Sequence, residues 1–133
     1  MKTGTIRQTV KFKAGPHEVY EALMDSRKHS QFTGSEAKIS RKEGGKFSVW
    51  EGSINGKNLE LVPDKKIVQE WRSEEEEWPK GHYSKATFQL KESKRKTILK
   101  FTQTGVPLAA YGAISRGWQD YYWKPLKEFL EAK

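Results

Sequence analysis

The chain of 133 residues contains no cysteine. Disulfides, thiolate metal sites and a thiol nucleophile are therefore excluded, and this usage fits a cytoplasmic protein. Histidine is scarce: His17, His29 and His82 stand far apart, so neither a metal centre nor any other cofactor is expected. His17-Glu18 with Glu21 lacks the second histidine of a zinc helix. Ser93-Lys94-Arg95-Lys96 has Ser-x-x-Lys spacing but falls in a turn, and no glycine-rich phosphate loop occurs. These absences point to a protein that is not an enzyme. No apolar run approaches the ~20 residues that span a bilayer, and Met1 to Thr5 have no apolar region of a signal peptide.

Aromatic side chains and positive charge are what the chain has in quantity. Five Trp, five Tyr and six Phe offer large areas for burial, enough for one domain over residues 1–133. The net charge is +8 despite the run Glu74-Glu75-Glu76-Glu77, which favours acidic partners. Adjacent exposed carboxylates are solvated and untuned, so that run reads first as a solvated loop and second as an acidic contact patch or a mobile loop.

Period-two alternation from Thr5 to Lys13 places Ile6, Gln8, Val10 and Phe12 on one strand face. Gly15-Pro16 starts a short helix through Val19, Tyr20 and Leu23, and Ser26 is placed to cap a second that ends at Gly34. His29 then lies in a polar helix, exposed. A succession of strands follows. Asn55-Gly56 is expected to form a hairpin turn, and a last hairpin folds around Ser93 to Lys96. From Ala110 the apolar period becomes three and four: Ile114, Trp118, Tyr121, Tyr122, Leu126, Phe129 and Leu130 mark a long amphipathic helix, with a kink expected at Pro125. The fold class is α+β. About seven antiparallel strands wrap around a long C-terminal helix, with two short helices after the first strand.

That order of elements resembles the helix-grip superfamily of START and Bet v 1-like domains. Local strings sharpen the likeness: Gly44-Gly45-Lys46-Phe47, Leu61-Val62-Pro63, Lys66 to Arg72, Trp78-Pro79-Lys80-Gly81-His82, Thr104-Gly105-Val106-Pro107 and Gly117 to Tyr122. Together they resemble the C-terminal domain of the Aha1-type activators of the Hsp90 ATPase. The resemblance implies a co-chaperone-like domain that contacts an Hsp90-type chaperone and stimulates its ATPase without chemistry of its own. One departure from that family is expected: the eukaryotic activators carry a separate N-terminal tethering domain, whereas this chain begins directly with the strand at Thr5 and leaves no room for it.

The same fold often holds an apolar, lipid-like molecule between sheet and helix, and this is the alternative function. Trp71, Phe88, Phe101, Trp118 and Tyr122 would line that cavity, with Gln69 and Gln103 in the same strand phase to orient a ligand's polar end. Close packing of so many rings favours a filled core instead. The aromatics share the buried phase rather than forming exposed stacking platforms, and four glutamates would repel phosphate, which argues against nucleic acid.

Overall fold

A computed structural model describes residues 1–131. The elements run β1 (Thr3–Phe12), α1 (Pro16–Met24), α2 (Ser26–Thr33), β2 (Lys38–Ile39), β3 (Lys46–Val49), β4 (Ile54–Val62), β5 (Lys66–Ser73), β6 (Ser84–Ser93) and β7 (Lys96–Pro107). A C-terminal helical segment follows, made of α3 (Leu108–Trp118), a π-helical turn (Gln119–Trp123) and α4 (Lys124–Glu131). All seven strands form one antiparallel sheet in the order β1-β7-β6-β5-β4-β3-β2. This is the expected helix-grip architecture, with the last strand paired to the first.

The first half of the chain follows its local signals closely. Ile6, Val10 and Phe12 are buried while Arg7, Thr9 and Lys11 are exposed. At α1, Pro16 occupies the first turn and the Glu18 carboxylate accepts from the Gly15 N–H at 2.5 Å. The cap of α2 is Asp25, not Ser26: its carboxylate accepts from the Lys28 N–H at 2.9 Å. Ser26 instead accepts from the Ile39 N–H at 2.8 Å and ties α2 to β2. Gly34 ends α2 in the left-handed conformation, as expected.

Three further expectations are corrected. Asn55-Gly56 is not a turn. The β3–β4 hairpin turns earlier, between Val49 and Ile54, with positive φ at Trp50, Glu51 and Gly52. Gly56 lies inside β4, where a Cβ would stand 1.8 Å from the Glu70 carbonyl oxygen, so the glycine serves a close backbone approach. His29 is not exposed but only 5% accessible. The Nδ1 faces the Leu23 carbonyl at 3.1 Å and Nε2 faces the Tyr122 hydroxyl at 3.2 Å. A carbonyl only accepts, so Nδ1 carries the proton and Tyr122 donates to Nε2.

The third correction concerns the C-terminal helix. Its irregularity precedes Pro125: the Lys124 N–H reaches the carbonyl of Gln119, five residues back, and closes a π turn. Pro125 then falls in the opening turn of α4, where a missing N–H is best tolerated. The turn between β6 and β7 is Lys94-Arg95, both at positive φ, as a two-residue hairpin requires.

Candidate functional site

The space between sheet and helix is occupied by a layer of rings. Trp71 from β5, Phe88 from β6, Phe101 from β7, and Trp118 and Tyr122 from the helical segment are all at most 5% accessible. Trp118 sits at the hub: its ring centroid lies 4.4 Å from Phe101, 4.7 Å from Tyr122, 5.5 Å from Trp71 and 5.7 Å from Phe88. Trp123 stacks on it at 5.3 Å with an interplanar angle of 20°. The π turn is what places Trp118, Tyr122 and Trp123 together on the sheet side of one helical segment.

Two glutamines orient the tryptophans. The Trp118 Nε1–H donates to Gln103 Oε1 at 2.8 Å, and Gln103 Nε2 donates to the Ser84 hydroxyl at 2.9 Å. The Trp123 Nε1–H donates to Gln8 Oε1 at 2.6 Å, while Gln8 Nε2 reaches the Ser115 carbonyl at 2.9 Å. Gln69 donates to Asn58 Oδ1 at 3.1 Å, and Asn58 in turn donates to the carbonyls of Ser40 and Lys42. Asn58 is fully buried because a bulge between Asn58 and Glu60 reverses the phase of β4 and leaves Leu59 40% exposed. A glutamine in the buried phase of a strand was the visible signal for the Gln103 contact; its indole partner was not legible.

Among the inward rings themselves a void of about 20 Å³ remains, bordered by Gln69, Trp71, Phe88, Trp118, Tyr122 and His29 among others. That is room for about one water molecule. Phe101 and Gln103 do not border it. Burial holds the His29 pKa down to about 4, so the ring facing this void is neutral at physiological pH. Burial likewise pushes the Tyr122 hydroxyl above its ordinary range.

A larger cleft of about 390 Å³ opens to solvent on the other side of Trp71, Trp118 and Tyr122. Its walls are Trp50 and Ile54 from the β3–β4 hairpin, and Ala110, Ala113, Ile114 and Gly117 from α3. Tyr121, 61% exposed, stands edge-on to Trp50 at 5.9 Å. The charged loop after β5 supplies Glu75 and Glu77 to the rim. Neither Trp50 nor the loop is adjacent to α3 in sequence, which is why the cleft had no local signature.

That acidic loop is held in place rather than merely solvated. Trp78 is 3% accessible and packs on Trp71 at 5.7 Å. Arg72, itself buried, donates to Glu74 Oε2 at 3.0 Å and to the carbonyls of Pro79 and His82 at 2.9 and 3.1 Å. Hydrogen bonds from Asn55 and Arg72 hold the Glu74 carboxyl below the usual range. His82 Nε2 donates to the Gly105 carbonyl at 2.7 Å and anchors the loop's far end to β7. Among the described residues, no cluster of three or more His, Asp or Glu is arranged to hold a metal ion, and no helix is long and apolar enough to cross a membrane.

Comparison with known proteins adds an independent line. The family described as activator of Hsp90 ATPase homolog 1-like protein matches residues 13–131. A curated relative from Dictyostelium discoideum, an activator of 90 kDa heat shock protein ATPase homolog, is 35% identical over 88% of this chain and 30% of its own length. The human activator of 90 kDa heat shock protein ATPase homolog 1 is 31% identical over 93% of this chain and 36% of its own. The chain thus spans about a third of the length of the curated relatives it matches. Among solved structures, the crystal structure of an HSP90 activator from Plasmodium falciparum superimposes with a TM-score of 0.89 at 25% identity, covering 96% of each chain.

Proposed function

This chain belongs to the family of activator of Hsp90 ATPase homolog 1-like proteins, and from that premise we propose that it is a non-enzymatic, co-chaperone-like binding domain. It contacts an Hsp90-type chaperone in the cytoplasm and stimulates its ATPase. The observation that carries this reading is the family match over residues 13–131. The rings leave only about 20 Å³ among themselves, which supports a partner-facing surface over a ligand enclosed in that layer.

That surface has a suitable electrostatic character. Cross-strand register puts Arg7, Lys11, Lys85, Lys91 and Lys100 on the outer face of β1, β7 and β6, all exposed. Lys57 continues the basic face on β4, with Glu70 of β5 interposed. A basic sheet face steers encounter with an acidic partner, acting mainly on association rate and salt sensitivity. Stimulation then requires only that the domain bind one conformation of the chaperone better than another and so shift its population.

The test is the ATPase rate of a purified Hsp90-type chaperone, measured at low salt with rising concentrations of this protein. A saturable increase is expected. Absence of both binding and rate change under those conditions refutes the reading.

A further inference from the structure

The open cleft has a charge that runs against the rest of the molecule. The chain carries 25 Lys and Arg for a net charge of +8, yet among the described residues no Lys, Arg or His lines this cleft, and both charged residues that do, Glu75 and Glu77, are acidic. Among the described residues neither carboxylate has an ion-pair partner, whereas Glu74 beside them is taken up by Arg72 and Asn55. The floor and walls are ring faces: Trp50, Trp118 and Tyr121 bound the space with the small side chains of α3 opposite.

We propose that this cleft binds a small organic cation, an ammonium group carried on an apolar body. Aromatic faces attract cations through their quadrupoles, and the attraction grows as the group is desolvated. The two rim carboxylates supply the balancing charge from a loop that Trp78, Arg72 and His82 keep in position. At about 390 Å³ the cleft is in the size range of pockets that take small molecules. A neutral apolar ligand would gain the rings but leave the carboxylates without benefit, and an anion would meet repulsion. The site shares Trp71, Trp118 and Tyr122 with the ring layer but lies on their solvent-facing side, and it is independent of whether the chain acts on a chaperone.

The test uses three probes of similar shape on the isotope-labelled whole chain near neutral pH: 4-hydroxyphenyltrimethylammonium, its neutral isostere 4-tert-butylphenol, and 4-hydroxybenzoate. Amide and indole NMR shifts at Trp50, Ala113, Gly117 and Tyr121 report occupancy. The ammonium probe is expected to bind about tenfold or more tightly than the isostere, with the anion weakest. The double variant Glu75→Gln, Glu77→Gln, on exposed side chains without ion-pair partners, should abolish that preference while leaving 4-tert-butylphenol unchanged. Ala113→Leu, which fills the cleft from an exposed helix position, should abolish binding of both. Equal affinity for cation and isostere, shifts clustered elsewhere, or a preference that survives the double variant would each overturn the proposal.

Discussion

His29 makes the stability of this fold depend on pH in a window set by its burial. Folded, its pKa is held at about 4; unfolded, it returns to its ordinary value of 6.5. As pH falls, the unfolded chain therefore takes up a proton first. Stability from the neutral ring is complete above pH 6.5, is lost progressively below it, and the loss levels off near pH 4. Linkage puts the loss at under about 1 kcal/mol at pH 6 and at about 2 kcal/mol at pH 5. The cause is desolvation of a ring that is only 5% accessible, and protonating Nε2 also removes the acceptor for the Tyr122 hydroxyl. Urea unfolding followed by tryptophan fluorescence between pH 7 and 4.5 measures it. At pH 5 the wild-type midpoint should fall by about 1 M more than that of His29→Gln, since small proteins lose ~1–3 kcal/mol per molar urea. Carboxylates such as Glu74, whose lowered pKa also costs stability in acid, are common to both proteins and cancel in the difference. Two curves that stay parallel from pH 7 to 5 would refute the assignment.

Other consequences are sharper in sign than in size. Gly56→Ala should cost about 2 kcal/mol or more, because the methyl would overlap the Glu70 carbonyl and pry β4 from β5; a loss below about 0.5 kcal/mol in urea unfolding contradicts that contact. Trp118→Phe should destabilise by about 2–4 kcal/mol by stranding Gln103 Oε1 and opening a gap. Adding Gln103→Leu should then cost less than it does alone, a coupling that a double-mutant cycle detects. Lys91→Glu with Lys100→Glu replaces two positive by two negative charges on an exposed strand face, lowering the net charge of +8 by four units. Association with an acidic chaperone should slow at low salt and converge with wild type at high salt, with urea stability within about 0.5 kcal/mol.

Much of the fold was legible because strand phase and helix period are local. The alternation of Ile6, Val10 and Phe12, the stop at Gly34 and the Lys94-Arg95 turn all fell where their neighbours demanded. These misreadings share one cause, a residue whose reason lies on another element. Gly56 looks like a turn former, but its job is to admit the Glu70 carbonyl. Nothing in Trp50-Glu51 announces positive φ; the β3–β4 register imposes it. His29 sits in a mostly polar stretch of α2, and Tyr122, 93 residues away, helps to bury it. The inward set Trp71, Phe88, Phe101, Trp118 and Tyr122 was readable as buried from its periodicity. Whether those rings left space beneath them depended on packing angles that no periodicity encodes.

The π turn between Trp118 and Lys124 works as a splice in the helix. One extra residue in an α-helical turn rotates everything downstream by about 100°. Ahead of the splice, α3 shows a smooth flank of Ala110, Ala113 and Gly117 to the open cleft. Beyond it, α4 drives Leu126 into the core and packs against α1 and α2. A continuous rod would have to compromise between these two bearings, whereas the splice lets each half take its own. The upstream half is thereby free to change shape and composition along the cleft while the downstream half keeps its grip on the two short helices.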